Sequence, residues 1–226
     1  MTLTMKNLLK PLSCLLALVF TLSANAAPPS GAKKPVSFSF GNSFLDIAKG
    51  PYGVDDVALR RYVTSRVVEL AEDLEISGGL LMKINALDPT RVVISKDGFK
   101  EDVIRNAIVL VEGDLTTNLI QNSIVVVTGK VRANDIRGSV VASSDNMDAY
   151  HVGGRDQEAL VLSKKQIHAN ATYSATVVAE EGAKIQSPTH TVAINTKVRT
   201  PHPTRITYEY VNKNVLSSVP NFFSSL

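Results

Sequence analysis

The side chains best able to do chemistry in this sequence are concentrated in one short stretch, residues 145–156. The candidate binding residues there are Asp145, Asp148, Tyr150, His151, Arg155 and Asp156. Neighbouring carboxylates could bind a cation such as calcium, or act as general acid and base on a saccharide. A solvated loop has a similar composition, so a plain loop, a binding loop and a catalytic loop all remain open interpretations.

Known catalytic motifs are incomplete in this chain. Ser144, Asp145 and Asn146 spell the S-D-N element of penicillin-recognising enzymes, but no K-T-G follows, and the only S-x-x-K match begins at Ser30. The histidines show no close metal-ligand spacing and are His151, His168, His190 and His202. We therefore predict a non-enzymatic protein with no cofactor and no metal.

The candidate loop interrupts a regular 16-residue repeat. Seven blocks begin at Thr90, Asn106, Asn122, Gly138, Glu158, Ser174 and His190. Every interval is 16 residues except the one from Gly138 to Glu158, which is 20. This period predicts an all-β fold, a parallel β-helix (solenoid) of about seven coils. The four extra residues are expected to bulge out near 146–155, and insertions in solenoids often lie on a binding face.

The pattern within each block predicts two short strands and a corner. The first strand is a β-branched run such as Ile108–Val111 or Ile124–Val127, and the second alternates, as in Leu115 and Thr117. The outward residues of the second strand are mostly polar and are Thr116, Arg132, Asp148, His168 and Lys184. A third apolar column begins with Ile104, Ile120 and Ile136.

Either side of the first strand of each block could point into the solenoid. If Ile108 and Leu110 point inward, the residue between them points outward, and the outward column is an apolar ladder. Its members are Val109, Val125, Val141, Val161 and Val177. The amphipathic stretch 54–74 predicts one N-terminal helix whose apolar face covers this ladder. The alternatives are a ladder that binds another chain, and the inverted facing.

The chain divides into five segments. Residues 1–26 form a predicted signal peptide, with Lys6 and Lys10 before an apolar stretch and Ala24-Asn25-Ala26 as the cleavage pattern. Residues 27–35 form a disordered linker, 36–89 an N-terminal strand and helix cap, 90–199 the solenoid, and 200–226 a C-terminal cap or tail. Within the N-terminal cap, the run 80–84 predicts a strand.

Composition limits the partners. Cleavage leaves 226 − 26 = 200 residues, and loss of two lysines lowers the formal charge from +3 to +1. A near-neutral chain gives no electrostatic argument for binding nucleic acid. The single cysteine, Cys14, lies in the signal peptide, and no later apolar run could span a bilayer. We expect an exported protein, periplasmic or extracellular in a bacterium.

The rungs around residues 106–143 resemble those of bactofilin-type polymer-forming β-helices. The similarity lies in Ile108–Leu115 (IVLVEGDL) and Ile124–Val131 (IVVVTGKV). This resemblance implies end-to-end self-association into a scaffold, although bactofilins are mostly cytoplasmic and the later coils lack the glycine. We predict a structural or binding protein of the cell envelope, which self-associates or binds an envelope protein or saccharide. The alternative is a carbohydrate-binding or carbohydrate-active protein that uses loop 145–156.

Overall fold

The computed structural model of the chain describes residues 56–209 and three residues of the C-terminal tail, Val219, Phe222 and Phe223. The predicted signal peptide, the linker and the start of the N-terminal cap lie outside the described residues. Among the helices that are described, none is long and apolar enough to cross a bilayer.

Within the described residues, two helices precede the sheet. Helix α1 (Asp56–Asp73) occupies most of the predicted helix, and its apolar stripe is buried. Helix α2 (Gly78–Asn85) lies where the sequence predicts a strand, so that prediction is wrong. The run there is leucine and methionine, which are good helix formers, and Ser77 caps it by accepting a hydrogen bond from the Leu80 N–H at 3.4 Å.

In the part of the chain that the structure describes, fourteen strands form one continuous sheet. In the first half they are β1 (Arg91–Ser95), β2 (Phe99–Lys100), β3 (Val103–Arg105), β4 (Ala107–Val111), β5 (Leu115–Gln121), β6 (Ile124–Val127) and β7 (Val131–Arg137). In the second half they are β8 (Val140–Ser143), β9 (Met147–Gly153), β10 (Ala159–Ser163), β11 (Ile167–Ala179), β12 (Ala183–Ile194), β13 (Val198–Arg199) and β14 (Ile206–Glu209).

The strands stack in parallel with the predicted 16-residue register. Ile108 pairs with Ile124 and then with Val140, and Leu115 pairs with Val131 and then with Met147. The predicted parallel β-helix of about seven coils is confirmed. Each coil has three sides, which we call face A (the residues equivalent to 107–111), face B (115–117) and face C (119–121).

The corner between face C and face A requires a left-handed backbone. Positive φ values recur there, at 47° for Asn106, 49° for Asn122, 55° for Gly138, 50° for Ser174 and 47° for His190. Asparagine and glycine tolerate this conformation better than other residues. Five of the seven block openings found in the sequence are therefore these corners.

Face A separates two layers of core, and its facing is the reverse of the prediction. The ladder of Val109, Val125 and Val141 points into the solenoid, where it packs with Leu115 and Ile120 and is 0% exposed. The bulkier alternate residues of face A point outward and pack under α1. They are Ile108, Leu110, Ile124, Val126, Leu160 and Leu162.

The physical reason is steric. Both sides of face A are apolar, so alternation alone cannot assign them. From face A, the apolar side chains that enter the narrow interior are valine and alanine, while those beneath the helix include the larger isoleucine and leucine. Val161 and Val177 follow the same rule and are fully buried in the interior. No member of the predicted ladder is exposed to another chain.

The sheet continues beyond residue 199, because β14 pairs in parallel with β12 through Thr191 and Ile206. The described tail residues, Val219, Phe222 and Phe223, belong to the outer core layer together with α1. Lys164 Nζ lies 4.8 Å from the centre of the Phe223 ring.

Candidate functional site

The six residues predicted to form one binding loop lie in three different places. Strand β9 keeps the 16-residue register through Val152, which pairs with Ile136, so Asp148, Tyr150 and His151 belong to a strand. The four extra residues lie between Gly153 and Ala159, immediately after β9, because Gly153 pairs with Tyr173 and Ala159 pairs with Ala175. The predicted loop 145–156 therefore does not exist as a single unit, since most of it is needed to complete a rung.

A groove runs along the outside of the solenoid where face B meets face C. Its volume is about 560 Å³, and we call it the polar groove. One wall is the outward column of face B, made of Thr116, Arg132, Asp148, His168 and Lys184. The other wall is the column two residues further along each coil, made of Asn118, Asn134, Tyr150, Asn170 and Gln186.

The second wall exists because side chains two residues apart in a strand share a face. In β5, Leu115 and Thr117 are buried, whereas Thr116 and Asn118 are exposed on the same side. After Asn118 the alternation changes phase, and the next buried residue is Ile120 rather than 119. Repetition of this pattern places two parallel columns of side chains next to each other over five rungs.

The single carboxylate among the groove-lining residues is Asp148, and it is already paired. Lys130 Nζ lies 2.6 Å from Asp148 Oδ2, and His168 Nδ1 lies 3.2 Å from Asp148 Oδ1. The other ring nitrogen of His168, Nε2, lies 3.3 Å from Gln166 Oε1. Arg132 and Lys184, in contrast, have no ion pair or hydrogen bond from their side chains within residues 56–209. The groove therefore presents two free cations and one neutralised carboxylate.

The opposite wall offers amides and one aromatic ring. Asn134 Nδ2 donates to Asn118 Oδ1 at 2.9 Å, and Asn118 Nδ2 donates to Asp102 in turn. Tyr150 is 56% exposed, and its ring meets that of His151 edge-to-face with centroids 4.5 Å apart. Amide groups can bind hydroxyl groups in either hydrogen-bonding direction, and an exposed phenol ring can stack on an apolar surface.

The remaining predicted residues lie elsewhere. His151 and Arg155 line a smaller cavity of about 310 Å³ beside the insertion, together with Arg137. Asp135 contacts two of these residues, since its Oδ1 lies 3.1 Å from His151 Nδ1 and its Oδ2 lies 3.2 Å from Arg137 Nη2. Asp156 is exposed in the insertion.

Asp145 braces a turn between two rungs. Its Oδ1 lies 2.9 Å from Lys165 Nζ and accepts a hydrogen bond from the Asn146 N–H at 2.6 Å. The Lys165 contact, helped by that N–H, lowers the pKa of Asp145 below its usual value, and it raises the pKa of Lys165. In the part of the chain that is described, no three acidic, histidine or cysteine side chains converge as a metal site would require.

Sequence reasoning found one wall of the groove and missed the other. The alternating face B column was recognised as outward and polar, but the column of residues equivalent to Asn118 was not. Comparing positions 116 and 118 in every coil would have placed the two columns side by side. Comparisons of the chain with family models, with curated proteins and with solved structures find no significant match.

Proposed function

We propose that the protein is an exported, non-enzymatic binding protein of the cell envelope that presents the polar groove to an extended ligand. The observation that carries the proposal is the continuity of the groove, whose two walls of polar side chains extend over five successive rungs. A ligand as long as the groove would lie along the solenoid axis. Export is inferred from the signal-like sequence of residues 1–26.

The scaffold suits this role because it is rigid before the ligand arrives. Each rung is held on both sides by parallel backbone pairing, and interior residues such as Val125 and Leu115 are fully buried. The backbone positions of the groove residues are therefore fixed at intervals of about 4.8 Å along the axis. Pre-organised groups lose less conformational entropy on binding than flexible ones.

A non-enzymatic role agrees with the composition of the groove. Hydrolysis of a glycosidic bond ordinarily uses two carboxyl groups about 5–10 Å apart. Asp148 is the one carboxylate among the described groove-lining residues, and Lys130 and His168 hold it.

The test is retention of labelled envelope material by the immobilised mature protein. Asn134→Trp places a ring inside the groove and should lower retention, while Arg105→Trp places the same ring on face C and should leave it unchanged; both residues are exposed. Equal retention by both variants would show that the groove is not the binding surface. Thermal unfolding of each variant checks that the fold is intact.

The bactofilin-like rungs around 106–143 support a second proposal, in which copies of the chain associate end to end. The parallel strands of the first and last coils would carry such contacts. Light scattering over a range of concentrations tests this, and a strict monomer at high concentration would reject it.

A further inference from the structure

The charge pattern of the face B column indicates which ligand the polar groove suits. Strand pairing extends this column beyond the groove, from Lys100 beside Thr116 at one end to Arg199 beside Lys184 at the other. Seven side chains thus lie in one row, and they are Lys100, Thr116, Arg132, Asp148, His168, Lys184 and Arg199. Four are permanently cationic, and one is a carboxylate.

The cations are available and the carboxylate is not. All four cationic side chains are exposed, and none has an ion pair or side-chain hydrogen bond among the described residues. Asp148 is held by Lys130 at 2.6 Å, so it repels an approaching anion less than a free carboxylate would. The row is therefore locally basic, although the mature chain as a whole is close to neutral.

The spacing requires an elongated anion. Arg132 and Lys184 are three rung spacings apart, or about 14 Å at about 4.8 Å per rung. From Lys100 to Arg199 there are six spacings, or about 29 Å. A single small anion could contact one of these cations, whereas a polymer with regularly placed charges could contact several at once.

The second wall distinguishes between polyanions. Single-stranded nucleic acids are bound by several aromatic rings on which successive bases stack, and Tyr150 is the one phenylalanine, tyrosine or tryptophan among the described groove-lining residues. The other positions of that wall are Asn118, Asn134, Asn170 and Gln186, whose amides both donate and accept hydrogen bonds as sugar hydroxyl groups do.

We propose that the polar groove binds an acidic polysaccharide lying along the solenoid axis. The carboxylate groups of the polymer pair with Arg132 and Lys184, its hydroxyl groups bond the amide column, and one sugar ring stacks on Tyr150. This inference rests on the proposed function of the groove and adds the chemical class of the ligand.

The experiment measures binding of the mature protein to polygalacturonate, to the neutral polymer dextran and to single-stranded DNA, by calorimetry at low and high salt. We expect polygalacturonate to bind, and to bind more weakly as salt rises because the contacts are ionic. Arg132→Ala with Lys184→Ala should weaken binding at least about fivefold, as expected for two exposed ion pairs. The matched control, Lys96→Ala with Arg105→Ala, removes the same charge from exposed sites outside the groove and should change little.

The outcomes separate the class of ligand from the function of the groove. Equal, salt-independent binding of dextran, or tighter binding of single-stranded DNA, would overturn the acidic polysaccharide. Absence of polygalacturonate binding, or equal weakening by the control pair, would overturn it as well. In each of these cases, loss of envelope retention in Asn134→Trp would still support the groove as a binding surface.

Discussion

Truncation of one interior valine tests the arrangement of the core. Val125 is 0% exposed and is stacked between Val109 and Val141 on the adjacent strands. Val125→Ala removes two carbon groups, worth about 1.6 kcal/mol at about 0.8 kcal/mol each. The backbone spacing of the sheet prevents collapse, so a cavity of about 30 Å³ adds about 0.7 kcal/mol. The expected loss in unfolding free energy is therefore about 2 kcal/mol.

The assay is urea unfolding of residues 27–226, and Val103→Ala is the matched control. Val103 also lies in a strand but is 39% exposed, so the same substitution should cost less than about 1 kcal/mol. Equal losses for the two variants would refute the interior position of the valine ladder.

A double substitution tests the facing of the same ladder. Val67 in α1 belongs to the outer layer and Val125 to the interior, with the sheet between them. The effects of Val67→Ala and Val125→Ala should therefore add within about 0.5 kcal/mol. Strong non-additivity would indicate a shared cavity, as the reverse facing requires.

Substitutions at three further positions probe the corners and turns. Ser174→Val should lower the unfolding free energy by about 1–2 kcal/mol because Ser174 has a φ of 50°, while Ser174→Gly should not lower it. Urea unfolding measures both variants, and equal effects would contradict the strained corner. Gly153→Ala should lower the unfolding free energy by more than about 2 kcal/mol in the same assay, because Gly153 has a φ of 83° and the new Cβ would lie 2.0 Å from the Tyr173 carbonyl oxygen. A neutral result would disprove that close approach. The pKa of Asp145 is lowered in the folded protein, so the ionised carboxylate stabilises the fold above about pH 4, and this stabilisation is lost as the pH falls below that value. Asp145→Asn should therefore make the unfolding free energy fall less steeply between pH 5 and about pH 2. Unchanged slopes would refute the contribution.

The repeat itself could be predicted because a solenoid imposes the same requirements on equivalent positions in every coil. The interior must be apolar in every coil, and the corner must adopt positive φ, which left Asn106, Asn122 and Gly138 at intervals of 16. Both signals are local in sequence and repeat several times. The pattern therefore gave the register as well as the fold class.

The facing of face A could not be predicted because both of its sides are buried. All five residues of β4 are buried, so alternation carries no information about which side is inside. Which residues of face A point into the solenoid depends on the corner at Asn106, which fixes the direction of Ala107, and on the space beneath α1. Helix α2 was missed for a related reason, since a short apolar run is compatible with either a helix or a strand.

The groove was partly predictable. The polar face B column follows from the repeat, and it includes Arg132 and Lys184. The ion pair from Lys130 to Asp148 could not be foreseen, because it joins a turn residue to a strand residue in the next coil. The position of the insertion was also hidden, since the sequence shows that four residues are extra but not which four.

Chemical-shift mapping of residues 27–226, titrated with an acidic oligosaccharide such as oligogalacturonate, tests the central claim most directly. The account predicts saturable changes at the amides of residues along the polar groove, at Thr116, Arg132, Asp148, His168 and Lys184, on five successive coils. Changes confined to the insertion at residues 154–157 or to α1, or none along the groove, would contradict it.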